Sequence, residues 1–368
     1  MMGLLSDRAR LRRSLLRWYH RNQRCLPWRE TKDPYRILVS EYLLQQTRVD
    51  QALPYYRRFV RRFPTVQVLA KAPLSAVLKT WEGVGYYARA RNLHRAAQRV
   101  VKDFDGKIPG CREKLRQLPG CGPYTSAAVA SIAFGVAAPV IDGNVMRLLS
   151  RFFGLRGDPR KAANARRLDR LAQELLPATQ PGRFNQALME LGATVCAPRN
   201  PKCPSCCWRS SCVAFREGLI DRLPERRSRP PIPERQVAIG IIWFRGRLLL
   251  ARRKPEALLG GLWEFPGGKR KPRESLPDCC AREVREEVGL TVRVRRKLMV
   301  LRYAYSHFKV RLHAFECVAR SKQARPLGCE HVVWERPDQL NQYAFPAANK
   351  PLVSALQEGV ISSPKRTN

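Results

Sequence analysis

The sequence contains no run of about 18 uninterrupted apolar residues, the length needed to cross a bilayer. Its amino terminus does not resemble a secretory signal followed by a cleavage site of small residues. We therefore expect no membrane partner, and we expect the 12 cysteines to be cytosolic thiols and not a disulfide framework. Two domains of ordinary size fit within the 368 residues, so each can bury a core without cross-links.

Acidic side chains are scarce in this sequence. There are 30 Asp and Glu against 69 Lys and Arg, which gives a formal net charge of +39. This charge favours a polyanionic partner, because neutralising phosphates releases counterions and gives strong binding that does not depend on sequence. A proteome biased toward arginine produces the same composition without any ligand, and composition alone does not separate the two explanations.

The spacing of apolar residues changes once along the chain. From about residue 8 to 215, apolar side chains recur at helical spacing. Residues 221–234 contain four prolines and charges of both signs, which is typical of an extended linker. Strand-like runs follow, and the first two flank a turn at Arg245-Gly246. We therefore predict a multi-domain protein, with an all-α domain at 1–220 and an α+β domain at 235–368.

Five cysteines lie within residues 196–212. Four of them form the pattern C-x6-C-x2-C-x5-C, and Cys207 lies one residue out of register. A structural zinc site usually has two close cysteine pairs, whereas this segment has one, so the spacing favours a 4Fe-4S cluster. Ligand softness permits both metals. The four candidate ligands are Cys196, Cys203, Cys206 and Cys212.

Residues 118–130, LPGCGPYTSAAVA, predict a tight turn between two helices. Gly120 and Gly122 would expose backbone N–H groups at the start of the second helix, where such groups bind phosphate without reading sequence. A plain pair of antiparallel helices with no ligand explains the same residues.

Two carboxylates have unusual predicted surroundings. Asp142 in PVIDGNVMR follows an apolar run and precedes a helix, a position that suits a helix cap and also holds a carboxylate ionised. Glu41 in SEYLLQQT has apolar side chains one turn away in both directions, Ile37 and Leu44, so its carboxyl should keep its proton longer than usual. A surface ion pair with an arginine is the alternative for Glu41.

Together these motifs resemble the MutY adenine DNA glycosylases, which belong to the helix-hairpin-helix superfamily of endonuclease III. The cysteine pattern is that of their cluster loop, and the glycine turn is similar to their hairpin. The resemblance implies that Glu41 protonates adenine, that Asp142 faces the sugar, and that Asn144 orients Asp142 or the attacking water. Relatives that cut the strand carry Lys at the position of Tyr124, so the resemblance also implies that the reaction stops at base removal.

The same resemblance implies which side chains contact the DNA bases. One set of positions matches the family's adenine pocket, and another matches the residues that fill the base stack opposite the extruded nucleotide. The pocket set is Leu26, Trp28, Arg29 and Gln186, and the stack set is Gln46 and Tyr86.

Residues 267–290 fit the complete Nudix box, G-x5-E-x7-R-E-U-x-E-E-x-G-U. On a helix, Glu283, Glu286 and Glu287 share one face, which is how carboxylates gather Mg²⁺ beside a pyrophosphate. Most MutY proteins end in a MutT-like domain whose box has decayed, and this chain departs from them by keeping every position. The intact box therefore predicts magnesium binding and hydrolysis of an oxidised nucleotide.

A segment of three residues that follows the box, residues 305–307, favours base recognition instead of hydrolysis. Tyr305, Ser306 and His307 resemble the Phe-Ser-His loop with which the family's second domain reads 8-oxoguanine. Between the two interpretations of the α+β domain, we predict recognition of 8-oxoguanine and not hydrolysis.

The predicted protein is a monofunctional adenine DNA glycosylase that acts on double-stranded DNA with A:8-oxoguanine or A:G mispairs. We expect a monomer in the bacterial cytoplasm, associated with the nucleoid. Three alternatives remain open: a glycosylase and lyase of the endonuclease III type, a fused Nudix hydrolase of oxidised nucleotides, and a cluster-bearing DNA sensor without activity.

Overall fold

The structure of the chain is a computed structural model that describes residues 7–225, 232–305 and 308–363. The middle of the predicted linker, residues 226–231, lies outside these ranges. Within them, no helix is both long enough and apolar enough to cross a membrane.

Backbone contacts divide the chain into two compact units. The first consists of Met1–Lys71 and Asn92–Arg229, and the second of Ala72–Arg91 and Pro230–Asn368. The sequence pattern placed Ala72–Arg91 in the helical domain, because its apolar spacing is helical like that of its neighbours. Packing and sequence order therefore give different boundaries at this segment.

The first unit is helical throughout its described residues, as the apolar spacing predicts. Helix α6 begins within the segment that belongs to the second unit, and α5 lies entirely in that segment. The helices up to residue 225 are α1 (Arg8–Asn22), α2 (Pro34–Leu44), α3 (Val49–Arg62), α4 (Val66–Lys71), α5 (Leu74–Trp81), α6 (Ala88–Asp103), α7 (Arg112–Arg116), α8 (Pro123–Phe134), α9 (Gly143–Phe152), α10 (Ala162–Leu175), α11 (Pro181–Thr194) and α12 (Val213–Arg216).

Helix α8 is the central helix of the first unit. It begins with Pro123, whose missing N–H is not needed at a first helical position, and ends at Gly135 in the left-handed conformation (φ 71°). Its small side chains are buried on every face, so neighbouring helices approach closely. A Cβ atom added to Gly182 of α11 would lie 2.3 Å from the carbonyl oxygen of Ser131.

The core of the first unit also fixes the cysteine segment. Leu11 and Leu15 of α1 pack with apolar residues of α9, α10 and α11 in one buried cluster. Trp208, from the cysteine segment, is part of this cluster and donates a hydrogen bond from its indole nitrogen to the carbonyl oxygen of Leu11 (3.0 Å). The segment 196–212 is thus anchored by a buried aromatic side chain and not only by its cysteines.

The second unit contains a mixed sheet in the order β3-β2-β1-β6-β5, with β4 beside β1 and β7 beside β2. Strands β1 and β6 are parallel, and the predicted hairpin at Arg245-Gly246 joins β1 to β2. The strands are β1 (Glu234–Phe244), β2 (Arg247–Arg252), β3 (Trp263–Glu264), β4 (Gly267–Lys269), β5 (Val292–Ala304), β6 (Lys309–Ala319) and β7 (His331–Glu335), and the helices are α13 (Leu276–Val288) and α14 (Lys350–Gln357).

One helix covers each face of this sheet. Cys280 and Val284 of α13 pack on the face that carries Phe315, and Leu352 of α14 belongs to the cluster on the face that carries Leu312. Alternate residues of a strand point to opposite faces, so β1, β2, β5, β6 and β7 each contribute side chains to both clusters.

Side chains of Ala72–Arg91 are bonded to backbone carbonyl groups elsewhere in the second unit. These bonds join the segment to the carboxy-terminal residues of the same unit. They run from Lys79 Nζ to Tyr343 (2.9 Å), from Tyr87 Oη to Phe345 (3.2 Å) and from Arg91 Nη1 to Gly260 (2.7 Å).

Candidate active site

Both predicted carboxylates line one open cavity of about 990 Å³ in the first unit. Glu41 reaches it from α2, Tyr124 from the first turn of α8, and Asp142 from the residue that caps α9. Three helices that are distant in sequence therefore bring these side chains to a single cavity.

Glu41 is buried, with 4% of its surface exposed, and its Oε2 atom accepts no hydrogen bond from any described residue. Burial raises the pKa of Glu41 to about 7, a hydrogen bond with Tyr124 opposes this rise, and the charge of Asp142 adds to it. A carboxyl group with this pKa carries a proton on a substantial fraction of molecules near neutral pH, as a general acid requires. The surface ion pair considered for Glu41 is absent from the described residues.

Tyr124 lies beside Glu41 at the start of α8. Its hydroxyl contacts the Met189 sulfur at 3.4 Å. Burial, together with the charges of Glu41 and Asp142, raises its pKa well above the ordinary value of tyrosine, so the hydroxyl stays protonated and can donate a hydrogen bond.

Asp142 caps α9, as one interpretation of the sequence predicts. Its carboxylate accepts hydrogen bonds from the backbone N–H of Asn144 (3.0 Å), the backbone N–H of Val145 (2.7 Å) and the side-chain amide of Asn144 (2.8 Å). Burial raises the pKa of Asp142 above its ordinary value, and these hydrogen bonds and the charge of Arg147 offset only part of the rise. The three hydrogen-bond donors favour the ionised form of Asp142, whereas Oε2 of Glu41 has no such donor among the described residues.

Arg147 is a member of this site that sequence reasoning missed. Its guanidinium donates hydrogen bonds to Asn144 Oδ1 (3.0 Å), to the Gly192 carbonyl (2.7 Å) and to the Cys196 carbonyl (2.8 Å). It therefore links the residue that holds Asp142 to the first cysteine of the cysteine segment. Its position as the last residue of PVIDGNVMR was the only signal in the sequence.

The predicted adenine-pocket residues all line the same cavity. Leu26 and Trp28 are buried, and Gln186 Oε1 accepts a hydrogen bond from the Tyr19 hydroxyl (3.2 Å). Gln46 also lines the cavity and has a positive φ of 59°.

Arg29 of this set pairs with a buried carboxylate that the sequence did not reveal. Arg29 and Arg24 both donate to Glu190, at 2.6 and 2.8 Å. Burial alone would raise the pKa of Glu190, but hydrogen bonds from the two arginines lower it to about 2. Glu190 therefore stays ionised and holds Arg29 at the edge of the cavity.

Tyr86 belongs to the second unit and is partly exposed, with 39% of its surface accessible. It has a positive φ of 49°, and the Arg89 guanidinium lies over its ring at 5.3 Å and over the Trp81 ring at 5.5 Å. The tyrosine that sequence reasoning assigned to the base stack is thus supported from one side by a buried cation.

The glycine turn between α7 and α8 has the predicted form. Gly120 has a φ of 78°, and a Cβ atom added to it would lie 2.8 Å from Cβ of Asn92. Gly122 is the residue before α8 and has no side chain to cap the helix, so the first N–H groups of α8 have no side-chain cap from it. Such groups bind phosphate at a helix N-terminus.

The four candidate cluster ligands line one cavity in the first unit, whose walls include Leu148, Phe152 and Trp208. Cys207 does not line it, although it packs against the same hydrophobic cluster as Cys206 and Cys212. Across the described ranges, no three Cys, His, Asp or Glu side chains lie close enough together to bind a single metal ion. The four candidate ligands are Cys196, Cys203, Cys206 and Cys212.

Glu283, Glu286 and Glu287 of the Nudix box line a second cavity of about 520 Å³ in the second unit, and Tyr305 lines the same cavity. Arg282 donates to Glu274 (2.6 Å), Glu283 (2.8 Å) and Glu286 (2.9 Å). Two of the three predicted magnesium ligands are therefore paired with an arginine in this conformation.

Glu287, the third predicted magnesium ligand, accepts a hydrogen bond from the Gly267 N–H (3.0 Å). Burial and the charge of Glu264 raise its pKa to about 8. Ser306 and His307, predicted beside Tyr305, lie outside the described residues.

Comparisons with known proteins match both the helical part of the chain and its carboxy-terminal part. Residues 39–176 match the family model for the HhH-GPD superfamily base excision DNA repair protein, and residues 238–355 match the NUDIX domain. A solved structure of a thermostable thymine-DNA glycosylase is similar at 34% identity with a TM-score of 0.53, and the match covers 58% of this chain and 98% of that one.

Curated relatives extend over both units. The adenine DNA glycosylase of Mus musculus is 33% identical over 90% of this chain and 75% of its own length. That of Schizosaccharomyces pombe is 30% identical over 84% of this chain and 82% of its own length. The human enzyme is 37% identical over 72% of this chain and 58% of its own length. These matches confirm the resemblance drawn from the motifs, and the chain belongs to the adenine DNA glycosylase family.

Proposed function

We propose that this protein removes adenine from double-stranded DNA by hydrolysing the N-glycosidic bond, and that its substrate is adenine opposite 8-oxoguanine or guanine. The observation that carries the proposal is the pair of carboxylates in one cavity with different surroundings. Glu41 has an orphan oxygen and a pKa of about 7, whereas Asp142 accepts hydrogen bonds from two backbone N–H groups and one amide.

Glu41 is the proton donor in this mechanism. Its proton passes to N7 of the extruded adenine, the bond between C1′ and N9 breaks, and the bonding electrons leave with the base. General acid catalysis of this kind contributes about 10² to 10⁴-fold to a rate. Ionised Glu41 then accepts a proton from the water that adds to C1′, so the cycle ends with the acid restored.

Asp142 stabilises the sugar cation formed when the base leaves. Its carboxylate is fixed by the hydrogen bonds from Asn144 and Val145, so its charge needs no reorganisation during the reaction. Asn144 is in turn held by Arg147. We propose that Asn144 acts by orienting Asp142 and the attacking water.

The reaction should stop at base removal. A lyase needs an amine that forms a Schiff base with the sugar. Tyr124 occupies the position where strand-cutting relatives carry lysine, and no lysine lines the cavity within the described part of the chain. The expected product is an abasic site in an intact strand.

Recognition of the adenine is assigned to the pocket residues. We propose that Gln186 bonds an edge of adenine and that Leu26, Trp28 and Arg29 shape the pocket, because all four line the cavity that holds Glu41. Gln46 and Tyr86 would occupy the space that the extruded base leaves in the stack, which lowers the cost of base flipping.

Cys196, Cys203, Cys206 and Cys212 would hold a 4Fe-4S cluster. The donor set fits, because four thiols line one cavity whose walls are largely apolar and the fifth cysteine does not. When bound, such a cluster can exchange electrons, but base hydrolysis requires none. In this chain its proposed role is to shape the basic loop, and the Arg147 bond to the Cys196 carbonyl joins that loop to Asn144.

The second unit would read the base opposite the adenine through Tyr305, Ser306 and His307. Nudix hydrolysis is the second candidate, favoured by the complete glutamate set. Glu283 and Glu286 would have to leave Arg282 before gathering Mg²⁺, since both accept hydrogen bonds from it. The protein is expected to act as a monomer on bacterial nucleoid DNA.

A duplex with adenine opposite 8-oxoguanine separates the candidate activities. Adenine release, with strand breaks only after alkali, supports the proposal. Breaks before alkali would indicate a lyase, and tight binding without release would indicate a DNA sensor. Incubation of the full chain with Mg²⁺ and 8-oxo-dGTP tests the Nudix alternative, and pyrophosphate formation lost in Glu286→Gln would support it.

A further inference from the structure

Strands β5, β6 and β1 and the residue after β4 bring basic side chains to one sheet face. In the ladder, Arg302 of β5 lies opposite Arg311 of β6, and Arg311 lies opposite Gln236 of β1. Arg270, which follows β4, donates its backbone N–H to the Gln236 carbonyl at 3.1 Å and so continues the row. Directly paired residues share a face, so this row places Arg302 beside Arg311 and adds Arg270 on the far side of Gln236.

Two lysines, Lys297 and Lys309, belong to the same face as these arginines. Lys297 pairs with Phe315, two residues along β6 from His313, and Lys309 lies two residues along β6 from Arg311. Because strand side chains alternate, residues two apart point the same way. The basic sheet face therefore consists of Arg270, Lys297, Arg302, Lys309 and Arg311.

This basic sheet face is open to solvent and mostly unpaired. Arg311 is half-buried and pairs with Glu234 at 2.8 Å, and the other four cations are exposed. None of those four has an ion pair with any carboxylate in the described residues. The helix α13 covers the same side of the sheet farther along, where Cys280 contacts Cys317, and leaves this end uncovered.

The side chain of His313 is affected by the positive electrostatic potential of this face. Its side chain is buried, with 7% of its surface exposed, and neither ring nitrogen has a hydrogen-bond partner among the described residues. Burial lowers the pKa of His313, and the charges of Lys297, Arg311 and Arg270 lower it further. Three cations of the face therefore lie close enough to His313 to lower its pKa together.

We propose that the basic sheet face binds the phosphate backbone of the DNA strand that carries the base read by residues 305–307. This inference rests on the proposed function, and it adds a contact surface to it. Arg302 and Lys309 of the face flank those residues along the chain, because β5 ends at Ala304 and β6 begins at Lys309.

The dimensions of the face fit a backbone better than a single phosphate ligand. Neighbouring strands lie about 4.8 Å apart, so the row from Arg302 to Arg270 extends over about 14 Å. One DNA strand presents a phosphate for about every 3.4 Å of helix axis, so a row of this length can contact more than one phosphate of the strand. Contacts between these cations and phosphate oxygens carry no sequence information, so the proposed contact should not depend on sequence.

The test is the salt dependence of DNA binding by the full chain with Arg270, Arg302 and Lys309 changed to Gln. Removing three phosphate contacts lowers the slope of log K against log salt by about 2.7, at about 0.9 for each contact. Affinity for a duplex with A opposite 8-oxoguanine should fall by roughly tenfold or more near 0.1 M salt. An undamaged duplex should lose affinity by a similar factor.

Arg320→Gln is the matched control, because Arg320 is exposed and lies just beyond the opposite end of β6. It should leave the slope unchanged. If the triple variant does not fold, the single variant Arg302→Gln tests the inference, and its slope of log K against log salt should change by about 0.9.

Slopes equal to the wild type in both Arg302→Gln and the triple variant would overturn the inference. A change as large in the control would also overturn it, since it would show general charge dependence. Adenine release is scored separately on the wild-type protein. If the variants show the expected loss of slope and the wild type releases no adenine, the proposed function is wrong, but the assignment of the basic sheet face as a DNA contact still holds.

Discussion

Replacing Glu41 with Gln tests the buried acid through the stability of the fold, without any substrate. The pKa of Glu41 in the folded chain is about 7, against an ordinary value of 4.5. Folding therefore favours the protonated form. Below about pH 4.5 Glu41 is protonated in both the folded and the unfolded chain, so its ionisation does not lower the stability of the fold. From pH 4.5 to 7 it ionises in the unfolded chain first, so the folded chain loses stability as the pH rises. Above pH 7 the penalty is complete and amounts to about 3 kcal/mol.

Glutamine has no charge to bury, so the variant escapes this penalty. We expect the stability of Glu41→Gln relative to the wild type to increase by about 2 to 3 kcal/mol between pH 5 and pH 8. Denaturant unfolding followed by the helical circular dichroism signal, at both pH values, measures the difference. Equal differences between wild type and variant at pH 5 and pH 8 would refute the assignment of a raised pKa to Glu41.

Glu190 supplies a control of opposite sign in the same cavity. Its pKa is lowered to about 2 by Arg24 and Arg29 despite burial, so its stabilising effect is already present at pH 5. Glu190→Gln should therefore destabilise the fold to a similar extent at both pH values. A stabilising effect of Glu190→Gln at pH 8 would mean that removal of any buried carboxylate has this result.

Other predictions concern activity, DNA binding and the cluster. Single-turnover adenine release should fall as the pH rises above about 7, because the pKa of Glu41 is about 7 and only its protonated form donates; a rate that is flat from pH 6 to 9 would contradict this. Gly120→Ala should destabilise the turn by about 1 to 2 kcal/mol, because its φ of 78° is left-handed, and should weaken binding to undamaged duplex, measured by fluorescence anisotropy. Iron analysis should find a full cluster in Cys207→Ser and none in Cys203→Ser; iron loss in the first variant would mean a different ligand set. Arg147→Met should lower the rate of release at saturating enzyme with little effect on duplex affinity, and an unchanged rate would remove Arg147 from the support of Asn144.

Much of the candidate site could be predicted from short segments of sequence. Local rules are enough for a helix cap such as Asp142, for a turn with Gly120, and for the apolar neighbours that bury Glu41. The structure has each of these features, because each depends on residues within about one or two helical turns. The four cysteines are also close in sequence, so their common cavity follows from spacing.

The contacts that sequence reasoning missed join distant parts of the chain. Glu190 meets Arg29 across 161 residues, and Arg147 meets the Cys196 carbonyl across 49. No periodicity signals such a pair, because its geometry depends on how whole helices pack. The segment Ala72–Arg91 is a similar case, since it groups with the carboxy-terminal residues and its Tyr87 hydroxyl donates to the Phe345 carbonyl across 258 residues.

The central claim is that Glu41 and Asp142 break the bond between adenine and its sugar. The most direct measurement is the single-turnover rate of adenine release from a duplex with A opposite 8-oxoguanine, with enzyme saturating, for wild type, Glu41→Gln and Asp142→Asn. Both variants should bind the duplex and release adenine at least about 10²-fold more slowly than the wild type. Wild-type rates in either variant, with duplex binding intact, would contradict the claim.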